Sequence, residues 1–207
     1  MGGGLAACAL GMPGRAAASP QRGLFGSIEI RRDDPERFPK WQGALDRYFA
    51  EAKLTRRPCS GGRFGHCELQ DWQAFLDGLT SQAPDAQIAQ VQTEMNRRRY
   101  ILDPINWNLP DYWASPGQFL RKQGDCEDFG IAKFMSLRAL GFPHDSMRVV
   151  VVQDLNLRVA HAVMSIEHGG QTLILDNQVS RVVPHEIIRH YRPIYSVNET
   201  HWWLHRT

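Results

Sequence analysis

The chain has 207 residues, of which 43% are hydrophobic, 22% charged and 10% aromatic. That balance excludes a disordered tail, a collagen-like repeat and a disulfide-dense mini-protein, and it fits one ordinary globular domain. Lys+Arg of 24 against Asp+Glu of 22 leaves a formal charge of +2, too weak a field to argue for nucleic acid, and no apolar run approaches the roughly 18–20 residues of a spanning helix.

Residues 1–27 are built from Gly, Ala, Ser and Pro, with no acidic residue and one apolar stretch from Leu5 to Met12. Ala16, Ala17 and Ala18 ahead of Ser19 satisfy the small-x-small rule for a signal peptidase, and Leu5-Ala6-Ala7-Cys8 resembles a lipoprotein box that would anchor the chain through Cys8. The basic n-region is missing and the apolar stretch is only about eight residues. Two readings stay open: an export leader, which puts the domain over residues 28–207 in the periplasm, or a disordered cytosolic tail. Without the leader the cysteines are Cys59, Cys67 and Cys126. Cys59 and Cys67 bracket a Gly-rich loop, which allows a small disulfide contributing about 2–3 kcal/mol, or two free thiols.

In chain order, the apolar residues Trp41, Ala44, Leu45, Tyr48 and Phe49 recur at helical spacing within Pro39–Lys53, as do Leu69, Trp72, Phe75, Leu76 and Leu79. Asp85–Tyr100 reads as a third helix with Ile88, Val91 and Met95 on one stripe, its Arg97-Arg98-Arg99 run being a solvated helix end rather than a phosphate site. Ser115-Pro116 is a cap with proline at the first helical position, and Gly124 stops the short helix it opens. The next helix runs from Cys126 to Leu140, ahead of Gly141 and Pro143. After Pro143 the pattern turns extended over Met147–Gln153, Arg158–His168 and Gln171–Asp176, with Tyr195–Val197 and Trp202–Leu204 as further strands. Helices before strands predict an α+β domain with a mostly antiparallel sheet.

The chemistry gathers at Gly124-Asp125-Cys126-Glu127-Asp128, which sets a thiol in the first turn of a helix, where unsatisfied N–H groups and the dipole favour thiolate. On this segment alone Asp125 is equally an N-cap, with Cys126 a small buried apolar residue. The hairpin adds the second half. A two-residue turn at Gly169-Gly170 opposes His161 to Gln178 and Asp176 to Val163, so His161 and Asp176 become diagonal neighbours roughly 7–8 Å apart along the backbone. A three-residue turn would put them on opposite faces. With the two-residue turn, Cys126, His161 and Asp176 form a nucleophile, base and orienter set.

That order, together with Tyr112-Trp113-Ala114-Ser115-Pro116, Gly124-Asp125-Cys126-Glu127-Asp128-Phe129, Ala160-His161, Leu175-Asp176-Asn177 and Pro193-Ile194-Tyr195-Ser196-Val197-Asn198, resembles the bacterial transglutaminase-like cysteine proteinases, which include the LapG-type periplasmic proteases. The resemblance covers roughly Pro84 to Leu204 and implies a papain/transglutaminase-like fold with the nucleophile helix packed on the sheet. It makes Cys126 the nucleophile, His161 the base and Asp176 the orienter, and it implies calcium (Ca2+) beside the cysteine, held by Asp125 and Glu127, with Asp128 a further ligand. A cation there is reasonable on electrostatic grounds, since three carboxylates around a thiol would otherwise raise its pKa. The resemblance also implies a substrate, the N-terminal region of a large surface adhesin cut to release cells from a biofilm, and a regulator, an inner-membrane cyclic-di-GMP receptor. Trp107, Tyr112 and Trp113 are candidates for a peptide groove or for core. Two other readings compete: a transglutaminase-type acyl transferase that resolves the same thioester with an amine, and a catalytically idle calcium-binding interaction module.

Overall fold

The computed structural model describes Met1, residues 23–53 and residues 67–207. The leader motifs at Leu5–Cys8 and Ala16–Ser19, and Cys59 with its Gly-rich loop, lie outside the described residues. Cys67 is disulfide-bonded, and Cys126 is the free thiol among the described residues.

Helices α1 (Pro39–Glu51), α2 (Cys67–Leu79) and α3 (Pro84–Asn96) follow the predicted apolar stripes. The third stops earlier than its pattern suggested: Arg97 and Arg98 turn back to pair with Glu94, and Tyr100 is extended, bridged to Gly124. A one-turn helix α4 (Asp103–Asn106), which the sequence pattern did not indicate, precedes α5 (Pro116–Lys122) and α6 (Cys126–Ala139). The predicted cap is present as a full capping box, in which Ser115 takes the Gln118 N–H and the Gln118 side chain takes the Ser115 N–H. Every residue of α6 from Glu127 to Leu137 is buried, which makes it the central helix.

Among the described residues, seven strands form one antiparallel sheet in the order β1-β7-β6-β2-β3-β4-β5. They are β1 (Ile28–Arg32), β2 (Met147–Asp154), β3 (Val159–His168), β4 (Gln171–Leu175), β5 (Val183–Pro184), β6 (Tyr191–Val197) and β7 (Trp202–Arg206). The β3–β4 turn is the two-residue one: His168 pairs with Gln171 and Met164 with Leu175, and Gly169 and Gly170 both take positive φ, as a tight primed turn requires. The sheet packs α6 against β2 and β3, with α3 and α5 against α6 in turn.

The valines of β2 read as a continuous apolar run because both faces are covered. Val149 joins the large core with Met164, Phe134 and Trp41. Val150 and Val152 join a smaller one with Leu24, Val163, Ile174 and Tyr191. Leu24 comes from the stretch assigned to the leader. Ser27, three residues on, is also buried, hydrogen-bonded to His205 Nδ1 at 2.8 Å, so residues 24 and 27 pack on the sheet.

Candidate active site

Cys126 opens α6 with its backbone N–H in the first turn, and the Asp125 side chain makes no capping bond there. The thiol donates to Glu127 Oε2 at 3.2 Å and faces the backbone N–H of Ala162, the residue after His161. Nucleophile helix and β3 therefore meet at this point. Burial pushes the thiol pKa up, the charge and hydrogen bond of Glu127 and the charge of Asp125 push it further, and only the Ala162 N–H opposes them.

His161 and Asp176 come together across the hairpin, with His161 Nε2 2.9 Å from Asp176 Oδ1 and both side chains buried. Since Nε2 is engaged, Nδ1 is the nitrogen left to serve a proton, and Gln178 Nε2 lies 3.5 Å from it. The bulge that shifts β6 between Val151 and Val152 lies beside this strand, where Val152 pairs with His161.

Asp176 is held on every side. Its carboxylate also accepts the Gln178 backbone N–H at 2.9 Å and the Tyr191 hydroxyl at 2.7 Å. Burial alone would raise its pKa, but His161, Gln178 and Tyr191 more than offset that and hold it below the ordinary carboxylate range. From behind, the Gln92 and Asn96 amides on α3 donate to the Asp176 carbonyl at 2.7 and 2.9 Å. Lys133, fully buried on α6, has an Nζ without a hydrogen-bond partner among the described residues. Burial lowers its pKa to about 7, with the charge of Asp176 acting against that fall. Sequence reasoning missed Tyr191, Gln92, Asn96 and Lys133, since nothing in their local pattern marks a tertiary contact to residue 176.

On the other side of the thiol lies a carboxylate cluster. Asp103, Asp125 and Asp128 bring one oxygen each within 4.8 Å of one another, as do Asp103, Asp111 and Glu127. All three predicted metal-linked residues are here, joined by Asp103 from α4, which the sequence did not flag. Asp128 accepts the Ala114 N–H at 2.6 Å, and Asp125 lies 3.4 Å from the Asp103 N–H that it accepts. Burial, and then mutual repulsion, raises these groups: Glu127 to about 9 with Asp125 the main neighbour, Asp103 to about 6 against the Tyr112 N–H bond that opposes the rise, and Asp128 well above its ordinary value. One oxygen each of Asp103, Asp125 and Asp128 is buried and unpartnered. Carboxylates this close together, each with an orphaned hard oxygen, fit a divalent cation of the calcium type.

The aromatic candidates divide. Trp113 is buried in the core, while Trp107 and Tyr112 pack on each other at 4.5 Å under the cations of Lys122 and Arg47.

A family model described as bacterial transglutaminase-like cysteine proteinase matches residues 62–205. Among solved structures, Legionella pneumophila LapG is 34% identical, covering 66% of this chain and 77% of that one at a TM-score of 0.60. LapG of the same organism in a calcium-bound form is 32% identical, covering 74% and 84% at a TM-score of 0.63. A comparison with curated proteins finds no match. With a free thiol at the head of a central helix and a His–Asp pair on the adjoining hairpin, and with a family match over most of its length, the chain belongs to the bacterial transglutaminase-like cysteine proteinases and is a cysteine protease.

Proposed function

We propose that the protein is a calcium-dependent endopeptidase in which Cys126 is the nucleophile, His161 the general base and acid, and Asp176 its orienter. The observation that carries this is the junction of α6 and β3, where the free thiol meets the N–H of Ala162 and the next residue back is a histidine already bonded to a buried carboxylate. His161 Nδ1 takes the thiol proton as sulfur attacks the scissile carbonyl carbon. The same proton then goes to the leaving amine, and a water activated by His161 hydrolyses the thioester. Asp176, ionised and triply hydrogen-bonded, keeps the Nε2–H pointed at itself and stabilises the imidazolium.

Asp103, Asp125, Glu127 and Asp128 would hold the cation, with Asp111 at the rim. When bound, the ion supplies positive charge that offsets the carboxylates and favours the thiolate. Calcium is favoured over magnesium by an all-oxygen cluster of irregular spacing, and one of the LapG relatives is calcium-bound.

The family resemblance carried by the sequence motifs implies as substrate the N-terminal region of a large surface adhesin, with action in the periplasm under an inner-membrane cyclic-di-GMP receptor. The test is to incubate the purified protein with the N-terminal region of a large repeat adhesin from the same organism, in calcium and in EGTA. A single cut in calcium and none in EGTA or with Cys126→Ala is the expected result. Glutamine–amine crosslinking without cleavage would instead establish acyl transfer.

A further inference from the structure

Acyl chemistry at Cys126 needs donors for the oxygen that becomes negative when sulfur adds to a carbonyl, and the side chains of the nucleophile, base and orienter supply none. Among the described residues, Tyr100 brings a hydroxyl donor beside the Cys126 thiol. The extended segment Arg99–Ile101 is fastened alongside the nucleophile loop: Arg99 N–H donates to Gln123 Oε1 at 2.9 Å, Tyr100 bridges to Gly124, and Ile101 N–H donates to the Gly124 carbonyl at 2.8 Å. Its ring stacks on Phe129, one turn into α6, with centroids 6.5 Å apart and planes 19° from parallel. Backbone and ring thus both fix the phenol, and its hydroxyl meets the Cys126 thiol. Tyr100 is nevertheless 52% exposed, so the residue borders solvent as well as the thiol. A phenol is protonated at neutral pH and so is able to donate.

We propose that the Tyr100 hydroxyl and the first-turn backbone N–H of Cys126 are the pair of donors that bind the oxyanion, which makes Tyr100 a catalytic residue. This rests on Cys126 being the nucleophile. In the step concerned, the thiol proton passes to His161 Nδ1 and the sulfur–carbon bond forms. The carbonyl π pair moves onto oxygen between the two donors, and collapse re-forms the carbonyl and expels the leaving amine, which takes the proton from His161, to give the thioester.

Two reactions of the same thiol separate this role from any effect on the thiol itself. Acylation by p-nitrophenyl acetate passes through an oxyanion, whereas alkylation by iodoacetamide displaces iodide and forms none. Both rates are measured on the calcium-loaded full chain, for the natural sequence and for Tyr100→Phe, which retains the ring on Phe129. Circular dichroism and thermal melting check that the variant is folded. The expected result is acylation slowed by about 10- to 100-fold, as for loss of one oxyanion donor, with alkylation changed less than about twofold. Equal slowing of both reactions would overturn the proposal in favour of a tyrosine that tunes the thiolate, and unchanged acylation would overturn it outright. Cys126→Ala distinguishes the underlying reading: if both reactions persist in that variant, the nucleophile is misassigned, whatever Tyr100→Phe does.

Discussion

Gly124 makes room for Asp128. A Cβ at position 124 would stand 2.0 Å from Asp128 Oδ2 and 2.7 Å from its Cβ and Cγ, so any side chain there drives the carboxylate off its bond to the Ala114 N–H. Gly124→Ala should therefore cost about 1–3 kcal/mol in urea unfolding and weaken calcium binding by calorimetry. Unaltered stability together with unaltered affinity would show that Asp128 is free to move.

Cys126→Ala and His161→Ala should each lower kcat by on the order of a thousandfold or more while leaving the melting transition in place, because nucleophile and base act as a unit. Asp176→Asn should lose less, since the Gln178 N–H and the Tyr191 hydroxyl still hold the side chain. Steady-state kinetics on any cleaved substrate decides, and normal turnover by Cys126→Ala would remove the cysteine from the mechanism.

Tyr191→Phe removes one of the donors that keep Asp176 below the ordinary carboxylate range. A carboxylate with a depressed folded-state pKa contributes stability that is fully present above its unfolded pKa and is lost as pH falls through the folded value. At pH 7 the variant should be less stable by about 1.5–3 kcal/mol, as for a hydrogen bond to a charged group. The deficit should shrink as acid protonates Asp176 in the natural sequence. Urea midpoints from pH 7 down to pH 3 check the sign: a deficit that grows in acid contradicts the assignment.

Calcium should raise the melting temperature and EGTA should abolish cleavage, with magnesium a poor substitute. A ligand at about 100 times its Kd adds about 2.7 kcal/mol. Asp125→Ala, Glu127→Ala and Asp103→Asn should each reduce the shift seen by scanning fluorimetry. Full activity in excess chelator would leave the four carboxylates as a purely structural cluster.

Where the sequence was legible, the signals were local. Gly169-Gly170 set the hairpin register that joins His161 to Asp176, and Ser115-Pro116 announced a helix cap, which Gln118 completes as a capping box. What stayed hidden depends on long-range contacts. β1 reads as polar because Glu29, Arg31 and Arg32 fill a five-residue strand, and its identity as a strand comes only from pairing with β7. Asp103 carries no local signal, and its place beside Asp125 comes only from α4 folding against that loop. Tyr191, a β6 residue with an ordinary pattern, gains its role from an oxygen on another strand.

β1 also guards the molecule against its own kind. Along its length it pairs Ile30 with Leu204, Arg31 with Trp203 and Arg32 with Trp202, and so exchanges the apolar margin that β7 would present for one bearing three charges. Were the chain clipped by a protease beyond Arg32, Trp202, Trp203 and Leu204 would become an open sheet border, the kind that templates strand-on-strand growth between copies. Proteolysis at the front of the domain would then cost solubility before it cost chemistry, since the thiol, the histidine and the aspartate all lie on other elements.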